Sequence, residues 1–173
     1  MTHVMGDLET LDTLPTTVVL SCGLVEFDPN SGRVDTKGGI TLYPSIEDQL
    51  AAGRTISEDT LIWWMKQSDV AKADWVNARR ISLVEFREEL QKWMSYMQDI
   101  KIWGNGSIFD IAILEHMLDY TRIPWKFYNV RDTRTLWDVH PYDKSKKGET
   151  AHTALADAIA QAKRICEVWP TSK

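Results

Sequence analysis

The stretch Val4–Thr10, reading VMGDLET, constrains the chain most. An apolar run ends on Asp7 and Glu9, two residues apart. On a β-strand, residues i and i+2 share a face, so the two carboxylates project side by side. Carboxylates that close repel each other, and burying either is costly unless a cation lies between them. The pair therefore points to a hard divalent metal held through oxygen. The competing reading is two solvated acids at a strand end. Asp-x-Glu alone is common, so the choice rests on what the rest of the chain adds.

At 173 residues the chain reads as a single domain, 1–173, with ample length for a core. No apolar run is long enough to span a bilayer and no signal peptide pattern opens the sequence, so no membrane is expected. Cys22 and Cys166 form neither a CxxC pair nor a disulfide framework. Both read as buried free thiols, which fits a reducing cytoplasm. The net charge of −5 argues against broad electrostatic coating of nucleic acid. It leaves room for a small site in which bound metals supply the positive charge.

Thr2 to Leu8 reads as a strand weakened by Gly6. Thr17 to Asp28 is β-branched and apolar, a second strand, and Gly38 to Tyr43 returns as a third in an antiparallel meander. Helices follow at Ser45 to Ala52, Ser57 to Gln67 and Ser82 to Met97. The last opens on the capping box Ser82-x-x-Glu85 and spaces Val84, Phe86, Leu90, Trp93, Met94 and Met97 three or four apart. Ile100 to Trp103 is a strand, and Ser107 caps a helix to about Tyr120. Phe127 to Val130 is a fifth strand, with a helix from about Asp132 to Val139. His140 to Thr150 is polar and lysine-rich and reads as a mobile loop. Thr153 to Trp169 is a final helix whose buried stripe is Leu155, Ala158, Ile159, Ala162, Ile165, Cys166 and Trp169. The expected architecture is α/β: a five-stranded mixed sheet, three antiparallel strands then two parallel ones, flanked by helices.

Further acids follow. Asp110 stands at a strand-to-helix junction, a common site position, but Ser107-x-x-Asp110 also resembles a capping box in which Asp110 only satisfies backbone amides. Asp157 lies in the first turns of the last helix beside small Ala154 and Ala158, which let that helix approach the sheet closely. A helix continued back to His152 would set His152 and Asp157 about 140° apart. His152 is better placed just before the helix, where a near-neutral histidine suits a general base; the alternative is a surface histidine.

Taken together, Asp7-x-Glu9, Asp110 and His152-x-x-x-x-Asp157 resemble the DEDDh (DnaQ-like) 3′-5′ exonuclease superfamily. The chain looks most like the small RNase T-like exoribonucleases of phages and bacteria. The likeness runs through Asp7-Leu8-Glu9-Thr10-Leu11, Val18 to Gly23, Trp63 to Ser68, Trp103 to Gly106 with Phe109-Asp110, and His152 to Asp157. Gly6 departs from it, standing where a bulky apolar residue is expected, and is expected to loosen the first strand.

The resemblance implies an RNase H-like fold. It also implies two Mg²⁺ or Mn²⁺ ions held by Asp7, Glu9, Asp110 and Asp157, Asp7 bridging both, Glu9 and Asp157 on the ion that binds the attacking water, and Asp110 on the second. His152 would take the proton from that water. Substrates would be 3′ ends of single-stranded RNA or DNA, and products 5′-mononucleotides. Leu8, Thr10, Leu11, Asn105 and Phe109 would contact the terminal nucleotide. Trp63 and Trp64 are about 100° apart on their helix; one, Trp64, could stack on a base, or both could pack under the sheet. Arg131, Arg134, Lys144, Lys146 and Lys147 could guide the phosphate backbone or form a solvated face. A homodimer in the cytoplasm of a bacterial host is implied as well. An inert nucleic-acid-binding module on the same fold, or a metal-binding regulatory domain, are the other readings.

Overall fold

The computed structural model describes residues 1–140 and 153–170. The apolar run around Asp7 forms β1 (His3–Thr10), which pairs antiparallel with β2 (Val19–Asp28). The β2 register places Gly6 opposite Leu24, Asp7 opposite Gly23 and Glu9 opposite Ser21, then shifts at Glu9/Thr10. β3 (Arg33–Val34) and β4 (Ile40–Leu42) both pair antiparallel with β2, at its end and its middle. β5 (Lys101–Gly104) runs parallel to β1, and β6 (Val130–Asp132) parallel to β5. The mixed sheet is as expected, with β3 as an additional sixth strand too short to show a period.

Helices cover both faces. α1 (Ile46–Ala51), α2 (Glu58–Met65) and α3 (Asp69–Val76) precede α4 (Leu83–Met94). α5 (Ser107–Met117), α6 (Thr133–Val139) and α7 (Ala154–Val168) complete the set. One face of the sheet, with Val4, Leu8, Leu24 and Ile102, packs on α4 and α5. The other, with Met5, Val25, Phe27 and Trp103, packs on the expected stripe of α7. A third cluster joins Leu11, Val18 and Leu20 to Trp64 of α2. Both cysteines are free thiols. Among the described residues no helix is long and apolar enough to cross a membrane.

Five local features differ from expectation. Phe127–Asn129 is a 3-10 turn, and the strand begins at Val130. Phe127 is 86% exposed, so its aromatic character reflects no sheet face. Val84 is exposed and leaves the α4 stripe to the residues after it. α3 was not expected. Ser107 does not cap α5, whose N-cap is Gly106 at φ +111°. Gly6 does not interrupt β1: Leu24 of β2 fills the space, its Cδ2 3.0 Å from where a Gly6 Cβ would stand.

Candidate active site

Met5 faces α7, and the alternation of a strand puts Asp7 and Glu9 on that same face. Asp157, in the first turn of α7, meets them there. One carboxylate oxygen from each of the three lies within 4.8 Å of the others. The close approach of α7 has a specific cause. A Cβ on Gly23 would lie 2.2 Å from Leu155 N and 2.3 Å from the Ala154 carbonyl carbon. The helix start therefore rests directly on the β2 backbone beside Asp7, and fully buried Ala154, Ala158 and Ala162 continue the contact. The small alanines were legible in the sequence; the Gly23 seat was not.

Asp110 reaches the site from α5 and is 4% exposed. Its Oδ1 accepts the Leu8 N–H of β1 at 3.3 Å, and the Asn105 N–H also serves it. Gly104 makes room, since a Cβ there would lie 3.2 Å from Asp110 Cβ and Oδ2. Asp110 does satisfy backbone amides, but those of β1 and the preceding turn, not those of a capping box. Ser107 instead donates both its N–H (2.7 Å) and its hydroxyl (3.1 Å) to Asp132 Oδ2. Asp110 stands outside the group of three, although its charge acts on Asp7.

Burial raises the Asp7 carboxyl well above the ordinary range, and the charges of Asp110, Glu9 and Asp157 add to that. The Gln161 amide opposes it, donating from Nε2 to Asp7 Oδ1 at 2.8 Å. Gln161 Oε1 is buried with no hydrogen-bond partner among the described residues. Burial also pushes Asp110 up to about 7, against the pull of the Leu8 and Asn105 N–H groups and the Arg134 charge. The charges of Asp110, Glu9 and Asp157 all bear on Asp7, a repulsion that a bound cation would relieve. Hard oxygen donors at these separations suit a divalent cation such as Mg²⁺ or Mn²⁺.

Beside Glu9 opens a cleft of about 400 Å³, lined among others by Leu8, Thr10, Trp63, Trp64 and Phe109. The adjacent tryptophans divide the two roles the sequence left open. Trp64 is 3% exposed and packs in the core, its Nε1 donating to Thr10 O at 2.8 Å. Trp63 is 45% exposed and meets Trp64 edge-on at 5.1 Å. The solvent-facing aromatic surface of the cleft is thus chiefly Trp63, a correction to the expectation for Trp64. Leu11 is buried against Val18, Leu20 and Trp64 and is not among the cleft-lining residues. Thr10 is held by its own hydroxyl, which donates to Asp12 O. Asn105 Oδ1 accepts from the Thr133 hydroxyl at 2.7 Å. His152, Lys144, Lys146 and Lys147 lie outside the described residues. Sequence reasoning missed Gln161, one turn past Asp157 on the same helix face, and Asp132, whose Asp-Thr-Arg start is a helix-cap signal.

The sequence profile of the Rv2179c-like 3′-5′ exoribonuclease domain matches residues 2–169. No curated protein matches. Among solved structures, the fold is similar to exonuclease I from Methylocaldum szegediense, with TM-score 0.66 and 16% identity over 96% of this chain and 40% of that one. It is similar to E. coli exonuclease I in complex with an oligonucleotide, with TM-score 0.62 and 16% identity over 96% of this chain and 42% of that one. The nuclease domain of 3′hExo, a DEDDh family member bound to rAMP, gives TM-score 0.59 and 13% identity over 96% and 90%. This chain thus spans about two fifths of the exonuclease I chains. The fold is that of the DEDDh exonucleases, and the profile match over residues 2–169 shows that this chain belongs to the Rv2179c-like 3′-5′ exoribonuclease domain family.

Proposed function

We propose that this chain is a divalent-metal-dependent 3′-5′ exonuclease that removes 5′-mononucleotides from single-stranded nucleic acid, with RNA favoured by the family's description. The observation that carries the reading is the convergence of Asp7, Glu9 and Asp157 beside a tryptophan-lined cleft. Asp7, Glu9, Asp157 and Asp110 would hold two Mg²⁺ or Mn²⁺ ions. Such ions, when bound, lower the pKa of water and stabilise the leaving oxygen of an in-line displacement.

The chain's own residues do the rest. Asp7 feels the charges of Asp110, Glu9 and Asp157 together, so it would help to hold both cations. Trp63 offers a base-stacking surface, a sequence-tolerant contact. Phe109 and Leu8 give the terminal nucleotide an apolar wall, with Thr10 and Asn105 beside it. His152, immediately before the Thr153 cap of α7, takes the proton from the attacking water. The kinship to RNase T-like enzymes, the homodimer and the cytoplasmic setting belong to the same proposal.

The test is a cleavage assay on 5′-labelled single-stranded RNA and DNA with Mg²⁺, Mn²⁺ or EDTA. A ladder shortening by one nucleotide from the 3′ end is expected, abolished by EDTA and by Asp7→Ala, and slowed roughly 10²–10⁴-fold by His152→Ala. Undiminished cleavage by Asp7→Ala would overturn the site.

A further inference from the structure

The cleft accounts for a base and the acids account for cations, but the strand's phosphates need a partner of their own. With a net charge of −5 the protein has no general attraction for a polyanion, so that partner must be local. Arg131 is already engaged, donating from Nη1 to the carbonyls of Tyr128 and Val130 at 2.7 and 2.9 Å. Arg134 is exposed and differently placed.

Three contacts bolt the first turn of α6 to the turn ahead of α5. Asp132 accepts the Arg134 N–H at 2.8 Å through Oδ1 and both Ser107 donors through Oδ2. Thr133 donates to Asn105. The Arg134 guanidinium then lies over Gly106: a Cβ there would be 3.1 Å from Cζ, 3.2 Å from Nη2 and 3.4 Å from Nε. Gly106 is needed twice, for its positive φ and for the space its missing side chain leaves. Gly106 caps α5, whose first turn carries Asp110, and the guanidinium's charge acts on that carboxylate.

We propose that Arg134, held against Gly106 by the Asp132–Ser107 clamp, is a phosphate-binding residue that takes a phosphodiester of the bound strand next to the scissile linkage. The planar fork of arginine suits two phosphate oxygens at once. Its fixed charge lets a phosphate enter beside four carboxylates. The inference rests on the nuclease reading for the identity of the strand.

The experiment is a cycle between protein and substrate. RNA oligonucleotides carry one neutral 2′-deoxy methylphosphonate at the first, second, third or fourth linkage 5′ of the scissile one. Matched controls carry a 2′-deoxy phosphodiester at the same place. KM and kcat are measured for wild type, Arg134→Gln and Arg134→Lys, and equilibrium binding is followed by anisotropy in Ca²⁺. At the first of these linkages the neutral group is expected to weaken wild-type binding and raise KM about tenfold, the scale of a charged hydrogen bond. Arg134→Gln should show that loss on the control and no further loss with the neutral linkage, and Arg134→Lys should recover part of it. Penalties that multiply at all four linkages, or an unchanged KM in Arg134→Gln, would overturn the proposal. Absence of cleavage with the coupling intact in binding would sink the nuclease reading and keep Arg134. Absence of both would remove both.

Discussion

Asp7 is the residue on which most of the site's electrostatics converge. Three other carboxylates raise its proton affinity, and one amide, Gln161, lowers it. The Gln161 N–H favours the ionised carboxylate, the form a metal needs, and fixes the direction in which it points. Gln161→Met keeps the length of the side chain and removes the donor, and also the unpartnered Oε1. Mn²⁺ affinity measured by calorimetry should fall about tenfold, while the melting temperature without metal changes little. Unaltered affinity would show that Asp7 is oriented without Gln161.

At the level of elements, α7 sits where β2 has no side chain to hold it off. Gly23→Ala would drive a methyl into the Ala154–Leu155 backbone. Backbone cannot yield as a flexible side chain does, so a loss of about 1–3 kcal/mol is expected, with weaker Mn²⁺ binding because Asp157 is displaced with its helix. A thermal melt with a metal titration checks both. The same element shows what a sequence makes legible. The α7 stripe repeats at 3.6 residues over four turns and is read directly, whereas α3 buries only Ala71 and leaves Val70 and Val76 exposed, so its pattern carries no face. Its one local sign is Ser68, which caps the helix by accepting the Ala71 N–H. The gathering of Asp7, Glu9 and Asp157 was legible because a strand sets the first two on one face and small neighbours let the helix of the third approach it. Gly23 and Gln161 were not, since their meaning depends on elements more than 130 residues away that only the fold brings close. The tryptophan pair was half legible: two adjacent helical residues must diverge, but which one meets solvent depends on the Thr10 carbonyl that anchors Trp64.

For the whole molecule, the acidic cluster sets how stability follows pH. Asp7 and Asp110 bind protons more tightly folded than unfolded. Their contribution is therefore present in acid and fades as pH rises from about 4 toward 7. Without metal, melting should weaken over that interval. With Mg²⁺ the ionised carboxylates are the binding form, so the gain in melting temperature on adding Mg²⁺ should grow with pH. Scanning calorimetry at pH 5 and 7.5, with Mg²⁺ or EDTA, tests this. An Mg²⁺ effect independent of pH would place the cation elsewhere.

The seat of α7 on Gly23 also makes the acidic group depend on joining two distant parts of the chain. Asp7 and Glu9 precede Asp157 by about 150 residues. Until α7 has docked, Asp7, Glu9 and Asp110 lack Asp157 and the acidic group is incomplete. The three-carboxylate group therefore belongs to the folded state alone, and a cation bound there would clasp β1 to α7.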